Sequence, residues 1–332
     1  MIEKETITYI KKFTTAIQED SLTQEEVEKS LNEIHTYFLK ITGITGFDMK
    51  IEYLAAIPAA KGKALGLNHA AQCLLDYSRT VKFLKAIVTV ILEKQKKQPG
   101  KLITIFYAGC GPYAPFITLV APLFKPEEVQ FSLLEINKNS HDSAKKLIDS
   151  LELSKYLKDF YIADAVTFKV PKPNTFDILI SETLDALLYR ESYVPILFNL
   201  LPQFSKNVIL FPENVVINLS LLTHHKKDIG YEEYEMGSVL NVRESIASCS
   251  NSDAIPSQLR DKKINLSSLD MTIYENILLD TKVHIHGDIW LYRNESSLTI
   301  PFESALKKPL QNSSLIFTYF MEPEVELKYR FE

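Results

Sequence analysis

The sharpest chemical signal in this chain is a pair of glutamates. Glu182 closes the apolar run Asp177-Ile178-Leu179-Ile180-Ser181, and Glu191 follows nine residues later across a short loop. Two carboxylates brought together by such a loop either share a proton and repel, or sit on either side of a cation. A planar guanidinium is the best match for that clamp. The plainer reading makes Glu191 a solvated residue at a helix start, favoured there by the dipole, and spacing alone leaves both open. A second constellation is Gly109-Cys110-Gly111-Pro112-Tyr113-Ala114, where another apolar run ends, with Glu135 closing the run after it. Glycines at a strand-to-helix turn let the backbone approach a ligand, and an acid about 20 residues on can hydrogen-bond both hydroxyls of a ribose. Either a dinucleotide or S-adenosylmethionine satisfies that pair of features. Asp164, at the end of the following strand, either accepts from an adenine amino group or caps its own loop.

Other polar groups read as bland. His284 and His286 alternate along a strand, so their rings share one face; with Asp288 they lack a further ligand at convincing spacing, and no metal site is expected. His224-His225-Lys226-Lys227 reads as a solvated turn and Tyr231 to Glu235 as a loop. Cys110 is expected to pack beneath the ligand without a nucleophilic role.

The elements that must position these residues fall into three regions. Residues 1–98 carry helical periodicity from Ile2 to about Leu92, with Ser21 ahead of Gln24-Glu25-Glu26 as a capping box; Pro99-Gly100 ends the region. Residues 99–212 alternate short apolar runs with helical stretches from about Pro115, over Asn139 to Leu151, and near Tyr193 to Leu201. That rhythm predicts a parallel sheet built from right-handed crossovers, a Rossmann-like core covered on both faces. Residues 213–332 switch to period-2 patterning in VVINLSLL, SVLNVRES, MTIYENILL, KVHIHGDIWLYR and SLIFTYF, which predicts an antiparallel β-barrel or sandwich. The fold class is therefore α/β plus β.

Composition narrows the function. A formal charge of −5 over 332 residues, with 37 basic and 42 acidic side chains, argues against broad phosphate-backbone binding, so nucleic acid is not an expected partner. Three scattered cysteines fit a reducing compartment, and no apolar stretch reaches membrane-spanning length; a cytoplasmic protein without a membrane partner is expected.

The stretch from Phe176 to Leu222 resembles the protein arginine methyltransferases, whose double-E loop runs from a strand ending Ser-Glu to a second glutamate nine residues on, then through a helix to a strand ending Phe-Pro. Those positions read Ser181-Glu182, Tyr189-Arg190-Glu191-Ser192 and Ile209-Leu210-Phe211-Pro212-Glu213 here. Upstream, Asp76-Tyr77-Ser78-Arg79 is similar to the family's Asp-x-x-Arg. The order of helices, Rossmann-like domain and β-rich domain is similar too. The chain departs from the family at Tyr107 and Pro112, and it has no Thr-His-Trp segment. The resemblance implies a class I methyltransferase in which Arg79, Gly109, Gly111 and Glu135 bind S-adenosylmethionine, while Glu182 and Glu191 hold the acceptor nitrogen; Asp164 is the further cofactor-binding candidate. The expected acceptor is a guanidino or amino group on a small molecule or peptide; the helical lead before Asn68 has no assigned role beyond shaping the acceptor pocket or a homodimer contact. Gly-Pro-Tyr-Ala-Pro is also similar to the glycine turn of nicotianamine synthases. The alternatives are a methyl or related group transferase acting on an unrelated metabolite, a nicotinamide-dependent oxidoreductase, or a binding module without catalysis.

Overall fold

Five helices and one small hairpin precede the central sheet: α1 (Ile2–Gln18), α2 (Gln24–Thr42), α3 (Ile51–Leu54), the hairpin β1 (Ile57–Pro58) and β2 (Lys63–Ala64), α4 (Leu67–Gln72) and α5 (Tyr77–Lys97). The computed structural model describes residues 2–223, 230–249, 254–307 and 313–332. The helical periodicity is therefore real but interrupted between residues 43 and 66, where the single turn α3 and the hairpin lie. The cap of α2 is Thr23, not Ser21: its hydroxyl accepts from the Glu26 amide, and the Glu26 carboxylate accepts from the Thr23 amide. Placing the cap two residues later puts Glu26 at the third helical position, where a capping box needs its acid.

The core sheet contains β3 (Ile103–Ala108), β4 (Val129–Glu135), β5 (Leu157–Ile162), β6 (Ile178–Ser181) and β7 (Ile209–Phe211). All four pairings are parallel, in the order β5-β4-β3-β6-β7. The central strands are buried on both faces, which explains their continuous apolar runs. Crossovers include α7 (Lys138–Ser150) and α8 (Tyr193–Leu200), while the helix expected from Pro115 is the single turn α6 (Pro115–Thr118). The chain leaves β3 toward β4 and β5, then returns to β6 on the other side. That reversal opens a crevice beyond the carboxyl ends of β3, β4 and β6.

The remaining strands are β8 (Asn214–Thr223), β9 (Glu233–Asn241), β10 (Lys262–Asn265), β11 (Tyr274–His286), β12 (Ile289–Leu291), β13 (Phe302–Ala305), β14 (Ser314–Phe320) and β15 (Glu326–Phe331). They form two antiparallel sheets, one centred on β8 and β11 and the other ordered β10-β14-β15. No ladder among the described residues closes them into a barrel. Two local readings change. The second half of SVLNVRES is the helix α9 (Val242–Ser248), because the Asn241 side-chain oxygen Oδ1 accepts from the Glu244 amide and caps a turn. Glu233 to Glu235 belong to β9 rather than a loop, paired through Glu233–Leu222 and Glu235–Ser220. The histidine and lysine run 224–227 lies outside the described residues. Among the described residues, no helix is long and apolar enough to cross a membrane.

Candidate functional site

All seven residues singled out in the sequence line one crevice of about 910 Å³ above the carboxyl edge of the sheet: Arg79, Gly109, Gly111, Glu135, Asp164, Glu182 and Glu191. The glycine turn forms where β3 ends. Gly109 has φ +70°, and a Cβ there would stand 2.2 Å from the Thr183 methyl, so only glycine lets the turn pass beneath β6. Cys110 is buried beside it, and burial pushes its thiol well up, which agrees with a packing role.

Glu135 is 5% exposed and is held from both sides by backbone. Its carboxylate accepts from the Gly111 amide at 2.8 Å and the Asn137 amide at 2.9 Å. Burial raises its pKa, and these amide bonds pull it back. Asp164 is also occupied: it accepts from the Val166 amide at 2.8 Å and from the Ala60 amide at 2.6 Å. The first contact is the loop cap foreseen as the plainer reading. The second was not foreseen, and it ties the β1–β2 hairpin across the crevice.

That hairpin is a strap. Besides Asp164, it is fixed by the Lys63 amide donating to the Arg190 carbonyl at 3.1 Å and by Lys61 paired with Glu322 of the C-terminal region. A Cβ at Gly62 would stand 2.8 Å from Val325 and 2.9 Å from the Ser192 hydroxyl. Ala59, Lys63, Ala64 and Leu65 line the crevice from above. Its two-residue strands are too short for period-2 patterning to reveal, so sequence reasoning missed it.

The loop between the two glutamates is shaped by its own acid and by the C-terminal sheets. The Asp185 carboxylate accepts from the amides of Tyr189 at 2.8 Å and Arg190 at 3.1 Å. Leu187 and Leu188 both take positive φ, +59° and +53°, a conformation costing about 1–3 kcal/mol per residue. Thr281 on β11 accepts from the Leu187 amide, and the buried Tyr319 hydroxyl on β14 donates to the Leu188 carbonyl. The antiparallel domain thus holds a strained loop that folds Glu191 back toward Glu182.

Arg79 lies at the seam. Its guanidinium donates to Glu182, and each of these side chains is 8% exposed. The other Glu182 oxygen, Oε1, is buried without a partner among the described residues. Burial pushes the Glu182 carboxyl up to about 7 against the pull of Arg79. Burial, together with the Asp185 and Glu182 charges, pushes Glu191 up to about 8. Burial works against the Arg79 charge, but Glu182, Cys73 and Asp76 together outweigh it and raise the guanidinium above its ordinary value. Helix α5 delivers Arg79 because Asp76 caps it and also grips the far domain: its carboxylate accepts from the Ser296 hydroxyl at 2.7 Å and the Ser297 amide at 2.9 Å.

His284 and His286 do not enter this crevice. His284 stacks on Trp290 with ring centroids 4.0 Å apart, and His286 lies 3.4 Å from Glu213. Among the described residues, no group of three or more potential ligands could hold a metal ion.

No family model matches the sequence, and no curated protein matches it. Among solved structures, the chain is similar to a Trypanosoma brucei PRMT1 enzyme-prozyme heterotetrameric complex with AdoHcy. The match has 10% sequence identity and a TM-score of 0.47, covering 79% of this chain and 92% of that one.

Proposed function

We propose that the chain is an S-adenosylmethionine-dependent N-methyltransferase acting on a guanidino or amino nitrogen. One observation supports the reading: two buried acids, one with an oxygen unpartnered among the described residues, stand with the Arg79 guanidinium in the same crevice as a glycine turn and the buried acid Glu135. The residues present fit the donor. Carboxylate oxygens offer two acceptor sites each, so Glu135 keeps capacity for ribose hydroxyls and Asp164 for an adenine amine beyond their backbone bonds. Arg79 carries more N–H groups than Glu182 uses, leaving donors for the amino-acid carboxylate of the ligand.

Bound there, the donor would supply a sulfonium methyl, its C–S bond breaking to a neutral thioether as the acceptor nitrogen forms the new N–C bond. Glu182 and Glu191 would hold the acceptor nitrogen and draw its positive charge away from the reacting lone pair. Carboxyls pushed to about 7 and about 8 also suit removal of the proton shed after methylation near neutral pH. The strap and the Arg79 helix exclude water from the reacting atoms, so positioning and desolvation supply most of the rate. Calorimetric titration with S-adenosylhomocysteine, followed by labelled-methyl uptake onto guanidino compounds and amino acids, tests the reading. Saturable binding with uptake supports it; no binding removes it.

A further inference from the structure

We infer that the acceptor is a small molecule with a cationic nitrogen at one end and an anionic tail at the other, and that Arg190 receives the tail; this rests on the methyltransferase reading above. Leu65, Cys73, Arg79 and Glu191 line both the crevice and a second, more open groove of about 1190 Å³, so the two spaces meet at the acid pair. Charge changes along this groove. Three acids face it, and two have their oxygens committed: Asp76 to Ser296, Ser297 and the Arg79 amide, and Asp185 to the amides of its own loop. Glu191, at the floor, is the third.

The rim is different. Arg190 is exposed, lines the groove, and makes no ion pair among the described residues; its guanidinium lies 5.1 Å over the ring of Tyr189, itself half-exposed. Exposed His69 lines the same groove. A guanidinium resting on an aromatic face keeps its planar edge free, and that edge matches a carboxylate in two parallel hydrogen bonds. An acceptor of opposite polarity at its two ends therefore satisfies floor and rim together. An arginine-rich peptide would instead place like charge against Arg190 while presenting its cationic head to Glu191.

The test uses the full chain with labelled S-adenosylmethionine and three acceptor sets: ω-guanidino and ω-amino carboxylic acids of increasing length, the corresponding carboxamides, and a glycine-arginine-rich peptide. At the best length, the free acid should have a KM about five- to tenfold below its carboxamide, with little change in kcat, and should outperform the peptide. Arg190→Met should erase the acid-over-amide preference, Arg190→Lys should keep part of it, and both should bind S-adenosylhomocysteine like the parent. Preference for carboxamides or for the peptide, or an acid preference that survives Arg190→Met, overturns the inference. So does donor binding without methylation of any acid, an outcome that leaves the donor half of the reading standing. Absence of S-adenosylhomocysteine binding would instead strike at the methyltransferase reading itself.

Discussion

The two ends of the crevice treat their acids in opposite ways. At the glycine-turn end, Glu135 and Asp164 each accept two backbone amides, and those amides hold the turn, the following loop and the strap. At the other end, Glu182 and Glu191 are buried, Glu182 is paired with the Arg79 guanidinium, and one Glu182 oxygen has no partner among the described residues. A satisfied carboxylate fixes geometry and costs little. An under-satisfied one is destabilising until a cation arrives. Arg79 pairs with Glu182 and lines the same crevice as the glycine turn.

The contrast breaks most visibly at Glu182. Glu182→Gln keeps the shape but removes the charge, and turnover should fall by about 10³-fold or more, while S-adenosylhomocysteine affinity stays within about threefold. A comparable loss in donor affinity would mean Glu182 serves the wrong end. Arg79→Ala should do the reverse at the donor, weakening its binding by roughly 1.5–3 kcal/mol. It should also destabilise the fold, because Glu182 is left buried without its partner. Adding Glu182→Gln to Arg79→Ala removes that uncompensated charge, so the double variant should melt above the Arg79→Ala single variant. Melting temperatures that simply add would show that the pair is not coupled.

The acid end also sets a pH signature. Activity that needs both carboxylates ionised should rise with pH through the window from about 7 to about 8. Stability runs the other way. Glu191 has a folded pKa raised above its unfolded value, so the folded chain binds the extra proton; this contribution is complete below the ordinary glutamate value and is lost as pH rises through about 8. Glu191→Gln mimics the protonated form. Its melting temperature should match the parent at pH 5 and exceed it by roughly 2–4 °C at pH 9, as read by calorimetry. No difference at pH 9 would place the Glu191 carboxylate in water rather than in the crevice.

How much of this was legible in the sequence follows from what each feature depends on. The ends of β3, β4 and β6 are written locally: a buried apolar run stops at Gly109, at Glu135 and at Glu182, and parallel strands put such endpoints on one edge. Grouping those residues required only strand order. The strap could not be read, because its strands of two residues carry no period and its anchors at Asp164, Arg190 and Glu322 are distant in the chain. The link from Asp76 to Ser296 and Ser297 spans over two hundred residues and rests on ordinary serines. The α9 misreading shows a weaker rule losing: β-branched content suggested strand, but the Asn241 cap decided for a helical turn. That Arg190 makes no ion pair among the described residues had no signal at all, since an exposed arginine beside a tyrosine is common in any sequence.

The smallest expected effect is the most discriminating for the satisfied end. Asp164→Asn retains an acceptor but loses the negative charge that receives the Ala60 amide, so the strap should loosen by about 0.5–1.5 kcal/mol. Hydrogen exchange at the Ala60 amide should report this as faster exchange, and donor dissociation should speed up by a few-fold. The strap role and the adenine role of Asp164 are separable with S-inosylhomocysteine, which lacks the 6-amino group. If Asp164 accepts from that amine, the parent should bind this ligand more weakly than S-adenosylhomocysteine, and the gap should shrink in Asp164→Asn. If the residue only anchors the strap, both ligands should lose affinity equally in the variant. The second outcome would complete the contrast, leaving the glycine-turn end with acids that shape the crevice and the acceptor end with acids that act within it.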